Sequence, residues 1–325
     1  MQQSQHTKGL AIVALVLSLI AYAFVPILIR WSEVEISPEA TIFNRCWMGG
    51  VILGSWKLLK VIPQLNPSEN FQLMKSKFLQ LLSALQAKPP EENSITNSHP
   101  QYLVWGITII ASVLSPVLWA WSLTQTTVAN SALIHSLTPL FTTVGSWLVF
   151  KVQFEGKFWK GVFISVGGAI ILSINDFQLD FDRIGGDLLA LMTAISFAVD
   201  FMGTERLQSR VNSMDIVLWF SISGAIIMLL LTVALGKPLF PGSLQGWLAV
   251  ATLAIVGQIL GLGLVTYSIR QLSASLVALA FLLDPILTAI AAWFAFGETL
   301  NFWNGIAFIV VLSGIYLGLT AKNDF

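Results

Sequence analysis

The chain has 325 residues, 55% of them hydrophobic and only 10% charged, against roughly 25% charged residues in soluble domains; with a mean hydropathy of +0.77 it reads as a membrane protein. A formal net charge of zero offers no basic surface to nucleic acid. The lone cysteine, Cys46, excludes an intrachain disulfide framework and a cysteine-based metal site.

Crossing the hydrocarbon core takes about 20 mainly apolar residues per helix. The first such window, 10–29, follows Lys8 and contains Ala21-Tyr22-Ala23, which looks like a signal cleavage site. The apolar run continues to Ile29, too long for a signal core, so the window reads as a span. The second, 38–60, carries Arg45 in its interior. An insertion at about 61–100 follows, with Phe71, Met74, Phe78, Leu81 or Leu82, and Leu85 at three- and four-residue steps. This pattern predicts an amphipathic helix on the cytoplasmic leaflet, with docking on a partner as the alternative. "KPPEENSITNSHP" (88–100) then reads as linker. Further windows lie at 101–122, 127–150, 159–175, 184–203, 215–235, 244–269, 273–296 and 302–320. They are continuous runs, unlike the alternating strands of membrane barrels. The expected fold is therefore an all-α membrane protein with ten transmembrane helices.

With a cytoplasmic N-terminus, the lysines and arginines outside the helices fall on the inside, save Arg30, Arg183 and Lys237. That asymmetry satisfies the positive-inside rule and places both termini in the cytoplasm, in a plasma or inner membrane. The fourth and ninth windows also align without a gap. "ALIHSLTPLFTTVGSWLVF" (132–150) lies over "ALAFLLDPILTAIAAWFAF" (278–296), with the proline-to-tryptophan spacing of Pro139/Trp147 matched by Pro285/Trp293. Downstream, "FWKG" (158–161) echoes "FWNG" (302–305) at a two-residue offset. Five windows per copy is odd, so the second copy enters from the opposite side. The expectation is two inverted five-helix repeats, 1–175 and 176–325, an arrangement common among secondary transporters.

These segments, together with "SPEATIFNRCWMGG" (37–50), "GDLLALMTAISFA" (186–198) and the "FGE" that closes the ninth window at Phe296, Gly297 and Glu298, carry a resemblance. The chain is similar to the drug/metabolite transporter superfamily, specifically its EamA-like ten-helix carriers. The resemblance implies export of amino acids, drugs or other metabolites through a cavity between two five-helix bundles. Two departures stand out: Val152 occupies the place of Glu298 in the first copy, and the insertion separates the second and third helices.

Polar side chains inside the bilayer cost about 2.5–3.5 kcal/mol each when ionisable, so they face protein or water. Ser131, His135, Thr138, Thr142 and Gly145 share one stripe of the fourth window; Thr193, Ser196, Asp200 and Gly203 repeat the design in the sixth, and Ala280, Asp284, Thr288 and Ala291 in the ninth. These stripes predict a shared hydrated space, with close helix packing as the alternative. Pro26, Pro116, Pro139 and Pro285 each free the carbonyl four residues earlier, and the kinks at Pro139 and Pro285 are expected to line the substrate path. Asp284, one residue before such a kink, is placed to bind an amine or carry a coupling proton. Asp200 is placed likewise, or pairs with Arg45, which needs an internal acidic partner. His135, Thr138 and Gln258 complete the expected substrate- or proton-binding set, with Trp119 and Tyr267 shaping the space. "GQILG" (257–261) reads as a packing motif.

The chain lacks a phosphate-binding loop and zinc-ligand spacing, so neither a cofactor, a metal nor ATP hydrolysis is expected. The expected function is a secondary transporter, not an enzyme, that exports small metabolites such as amino acids or amines, with proton coupling open. A membrane-embedded lipid or acyl transferase using His135 and Asp284, and a passive facilitator, are the alternatives. Expected partners are a small-molecule substrate and the bilayer; a homodimer is compatible with the chain.

Overall fold

The computed structural model describes residues 2–61, 101–126, 128–173, 184–287, 290 and 302–321. Most of the 61–100 insertion, together with Thr288, Ala291, Trp293 and the Phe296–Glu298 tripeptide, lies outside the described residues. Among the described residues every regular element is a helix and there is no strand. In chain order these are α1 Gln2–Glu33, α2 Pro38–Val61, α3 Gln101–Gln125, α4 in two pieces, Val128–His135 and Thr138–Phe150, α5 Gly156–Ser173, α6 Ile184–Leu207, α7 Ser213–Ala234, α8 Leu244–Ile269, α9 Ala274–Leu287 and α10 Phe302–Leu319. Among the described residues six stretches, Gly9–Glu33, Tyr102–Gln125, Leu133–Phe150, Ile184–Leu207, Ser213–Ala234 and Leu244–Ile269, are long and apolar enough to cross a membrane. Ala274–Leu287 and Gly305–Leu319 are shorter apolar helices.

Local chemistry sets the helix ends. Pro38 fills the first position of α2, where a missing N–H costs nothing, and Ser37 Oγ accepts from the Ala40 N–H. Ser243 and Ser273 cap α8 and α9 by accepting from Gly246 and Leu276. The interruption of α4 at Ser136–Leu137 precedes Pro139, which starts the second piece. The carbonyl of His135, left without its helical donor, accepts instead from Thr138 Oγ1 at 2.6 Å. In α9 the corresponding stretch, Phe281–Leu283, tightens to a 3-10 turn just before Asp284 and Pro285.

The helices pair mainly as α1 with α8, α2 with α7, α3 with α6, α4 with α6 and α9, and α5 with α10. Small residues permit the closest approaches. A Cβ on Gly203 of α6 would collide with Thr108 of α3, and one on Gly161 of α5 would stand 2.6 Å from the Gly314 carbonyl of α10. One apolar core gathers α1, α6, α8 and α9 around Leu19, Val25, Leu253 and Val277; another gathers α5, α9 and α10 around Phe158, Leu279, Leu282 and Val311. Two polar ties join elements at opposite ends of the bundle. Glu35, in the α1–α2 turn, accepts from the Gly242 and Ser243 N–H groups and from the Ser243 hydroxyl at the start of α8. Lys57 of α2 pairs with Asp215 of α7 at 2.6 Å.

Candidate functional site

A cavity of about 40 Å³ lies among α1, α2, α3, α6, α7 and α8, enough for a few water molecules. Arg45, 6% exposed and two turns into α2, projects into it. Its Nε–H donates to Gln258 Oε1 at 2.9 Å and its Nη2 to the Gly257 carbonyl at 3.1 Å. Gln258 Nε2 in turn donates to Ser221 Oγ of α7 at 2.9 Å. One guanidinium thus ties α2 to α8 and, through an amide, to α7.

The acceptor for Arg45 depends on an irregularity of α8. Residues Ala254–Leu262 form a π-helix, a winding rare enough that it marks functional positions in other helices. The "GQILG" glycines fall within it. A Cβ on Gly257 would stand 3.3 Å from Val25 and 3.4 Å from the Arg45 guanidinium, and one on Gly261 would stand 3.0 Å from the Tyr22 ring. The motif therefore serves packing, as its spacing suggests, and also admits the arginine.

Asp200 of α6 is 5% exposed and lines the same cavity. Its carboxylate accepts from Thr204 Oγ1 at 3.4 Å, and no ion pair joins it to Arg45; among the described residues the ion pair is Lys57–Asp215. The expectation that Arg45 rests on an acidic partner is therefore corrected: an amide and a main-chain carbonyl hold it, and its charge faces Asp200 across the cavity. The Tyr22 side chain lines the cavity with Arg45 and lies within electrostatic reach of Arg45, Asp200 and Asp284.

The α4 stripe, and the described part of the α9 stripe, fall outside the lining of this cavity. Thr138, Pro139, Asp284 and Pro285 are absent from the cavity lining. The α4 hydroxyls turn back on their own helix, Thr142 to the Thr138 carbonyl and Thr143 to that of Pro139, a local bond that competes with outward contacts. His135 sits one layer behind the cavity wall, stacked on Trp119 at 6.0 Å and edge-on to Phe197 at 4.9 Å, with Nε2 buried and unbonded. Asp284 has a buried, unbonded Oδ1. Thr193 donates to the Leu189 carbonyl, so of the α6 stripe Asp200 is the member that reaches the lining. The side chains of Tyr22, Ser112 and Ser115 are lining members that sequence reasoning missed; Pro116, singled out as a kink, and Trp119, expected there, line it too, whereas Tyr267 is not in the lining. Ser112, Pro116 and Trp119 recur at four and three residues on α3, a periodicity that marks one helix face.

Comparison with known proteins places this geometry. The model of the EamA-like transporter family matches residues 9–174 and 184–320. A transporter of Methanothermobacter thermautotrophicus, described as uncharacterized, is 26% identical over 243 residues, 73% of this chain and 69% of that one. An uncharacterized transporter of Clostridium kluyveri is 26% identical over 284 residues, 82% and 89% of the two chains. YedA of Escherichia coli K12, an uncharacterized inner membrane transporter, is 27% identical over 195 residues, 60% of this chain and 63% of YedA. A solved crystal structure superposes with a TM-score of 0.71 over 97% of this chain and 98% of that one, at 16% identity, and so shares the fold. With both halves matched and several helices apolar enough to span a bilayer, the chain is a multi-pass membrane protein that belongs to the EamA-like transporter family.

Proposed function

We propose that the protein is a secondary transporter that exports small metabolites such as amino acids or amines through the Arg45–Asp200 cavity. Its frame in this reading is ten spans in two inverted repeats, 1–175 and 176–325, with both termini cytoplasmic. The helix pairing supports that frame. Shifting the labels by five maps α2–α7, α4–α9 and α5–α10 onto themselves and exchanges α1–α8 with α3–α6, as a two-fold axis in the membrane plane requires, while the α4–α6 contact has no comparable α1–α9 counterpart among the described residues. The family match to each half supports it too.

The observation that carries the functional reading is a buried guanidinium and a buried carboxylate in one cavity without bonding to each other. In a membrane interior each charge needs a counter-charge or polar partners. A zwitterionic solute, admitted once the bundle opens wider than the few-water space described, supplies both. Its carboxylate takes the place of Gln258 on Arg45, and its ammonium donates to Asp200, with the Trp119 and Phe197 rings as the apolar wall. Rocking of the α1–α2 and α7–α8 elements about the cavity would then expose it to either side in turn. Asp284, behind Tyr22, is the candidate carrier of a coupling proton; His135 and Thr138 hold the wall that bears on Trp119.

Counterflow in proteoliposomes tests this. Preloaded neutral amino acids or small amines are expected to drive uptake of their labelled counterparts, with Asp200→Asn abolishing the exchange. Unchanged exchange in Asp200→Asn would overturn the assignment. A pH gradient that accelerates wild-type flux but leaves Asp284→Asn unaffected supports coupling at Asp284, and equal acceleration of both removes it.

A further inference from the structure

The end of the bundle bearing the α1–α2 turn holds two carboxylates that the Arg45 cavity does not use. Glu39, in the first turn of α2, is only 5% exposed. Its Oε1 accepts from the Trp121 indole N–H of α3 at 2.5 Å, while Oε2 is buried without a hydrogen-bond partner. Glu33, the last residue of α1, likewise has a buried, unpartnered Oε1. It lies within electrostatic reach of Glu39 and of Arg30. Arg30 is exposed and forms no ion pair with it.

Helical periodicity places both residues on the helix faces that meet the cavity. Glu39, Ile42 and Cys46 fall at three- and four-residue steps on α2, and Ile42 and Cys46 line the cavity. Tyr22, Pro26, Ile29 and Glu33 do the same on α1, and Tyr22 lines it as well. At 1.5 Å per residue, Glu39 lies about 9 Å along α2 from Arg45.

A buried carboxylate oxygen without a donor is costly. A cationic partner would offset the two neighbouring like charges, and one rich in N–H donors suits them, because ionised carboxylates only accept. Among the described residues no cluster of three or more metal-type ligands exists here. A primary ammonium, with one positive charge and three donors, matches two open carboxylate oxygens, and the indole held against Glu39 offers an apolar wall for the attached carbon chain.

We propose that Glu33 and Glu39 form a second binding site that takes the ammonium group of a small organic amine, one step along the axis from the Arg45 cavity. Its place on a route rests on the transport reading; the binding itself does not.

The test uses the full-length protein in detergent and follows its melting temperature against n-butylammonium chloride at constant ionic strength. Sodium chloride and sodium butyrate serve as matched titrants. A saturable rise with butylammonium alone is expected, because a ligand that binds only the folded state raises the transition. Half-saturation should shift at least about tenfold upward in Glu39→Gln and in Glu33→Gln, since each loses one charged hydrogen bond. Each melting curve also reports whether the variant folds, and the half-buried Glu33 carries the test should Glu39→Gln not fold. The rise should persist in Asp200→Asn, so that failure of the cavity and failure of this site are separable. An equal rise with sodium, unaltered half-saturation in the glutamine variants, or a response that follows pH alone would overturn the proposal; the last result would mean that the two carboxylates merely share a proton.

Discussion

Replacing Arg45 by leucine sets two large terms against each other. The substitution removes two hydrogen bonds from a charged donor, those to Gln258 and the Gly257 carbonyl, each worth roughly 1.5–3 kcal/mol. In the proposed ten-span reading it also withdraws a cation buried two turns into α2, which returns roughly 2.5–3.5 kcal/mol. The difference is a net destabilisation of about 0–3 kcal/mol, or a fall in melting temperature of at most about 10 °C for a domain of this size. The fold should therefore survive while the cavity loses its cation. Counterflow in proteoliposomes should then show an apparent KM for a neutral amino acid raised at least about tenfold, with melting in detergent near the wild-type value. Arg45→Lys keeps the charge but not the planar fork that reaches Gln258 and Gly257 together, and should fall between the two. Wild-type counterflow in Arg45→Leu, or a variant that cannot be purified folded, would refute the reasoning.

Two further predictions concern stability. Gly203→Ala places a Cβ into Thr108, whose Cβ and Cγ2 would each stand 2.9 Å away, and should cost about 1–3 kcal/mol by forcing α3 from α6; thermal unfolding in detergent measures it, and an unchanged melting temperature would contradict the packing described. Glu35 is held below the usual carboxylate range, first by the Ser243 hydroxyl and then by the Ser243 and Gly242 N–H groups. A carboxyl lowered on folding stabilises the protein above its unfolded pKa, near 4.3 for glutamate, and loses that contribution as pH falls through the folded value. Glu35→Gln should therefore melt below wild type at neutral pH, with the gap closing on acidification below about pH 4; a gap independent of pH would count against the tie.

Much of this site is legible in the chain, and the reasons differ by residue. Arg45, Asp200 and Gln258 stand out because a charge or amide inside an apolar helix has to meet protein or water, and all three line the cavity. The break of α4 follows from Pro139, which cannot donate to His135. The α4 stripe misleads for a physical reason: serine and threonine satisfy themselves on the carbonyl three or four residues back, as Thr138, Thr142 and Thr143 do, so a polar stripe need not face water. Tyr22 and the α3 lining were hidden because an aromatic or a serine in an apolar helix fits a core equally well, and only the neighbours decide. The π-helix of α8 has no local signature beyond its two glycines. Its Gly257 carbonyl meets Arg45, contributed by a helix some two hundred residues away in the chain.

Cys46 allows the most direct test that the cavity opens to water during transport. It is the chain's single cysteine, 7% exposed, and it lines the cavity. A space of about 40 Å³ does not admit a charged methanethiosulfonate reagent, so modification requires the bundle to open. In sealed proteoliposomes of defined orientation, an impermeant reagent should label Cys46 from each side, slowly without solute, with the rate changed by a transported amino acid and labelling abolished in Cys46→Ser. Labelling only after denaturation, or at one rate from one side whatever the solute, would contradict alternating access through this cavity.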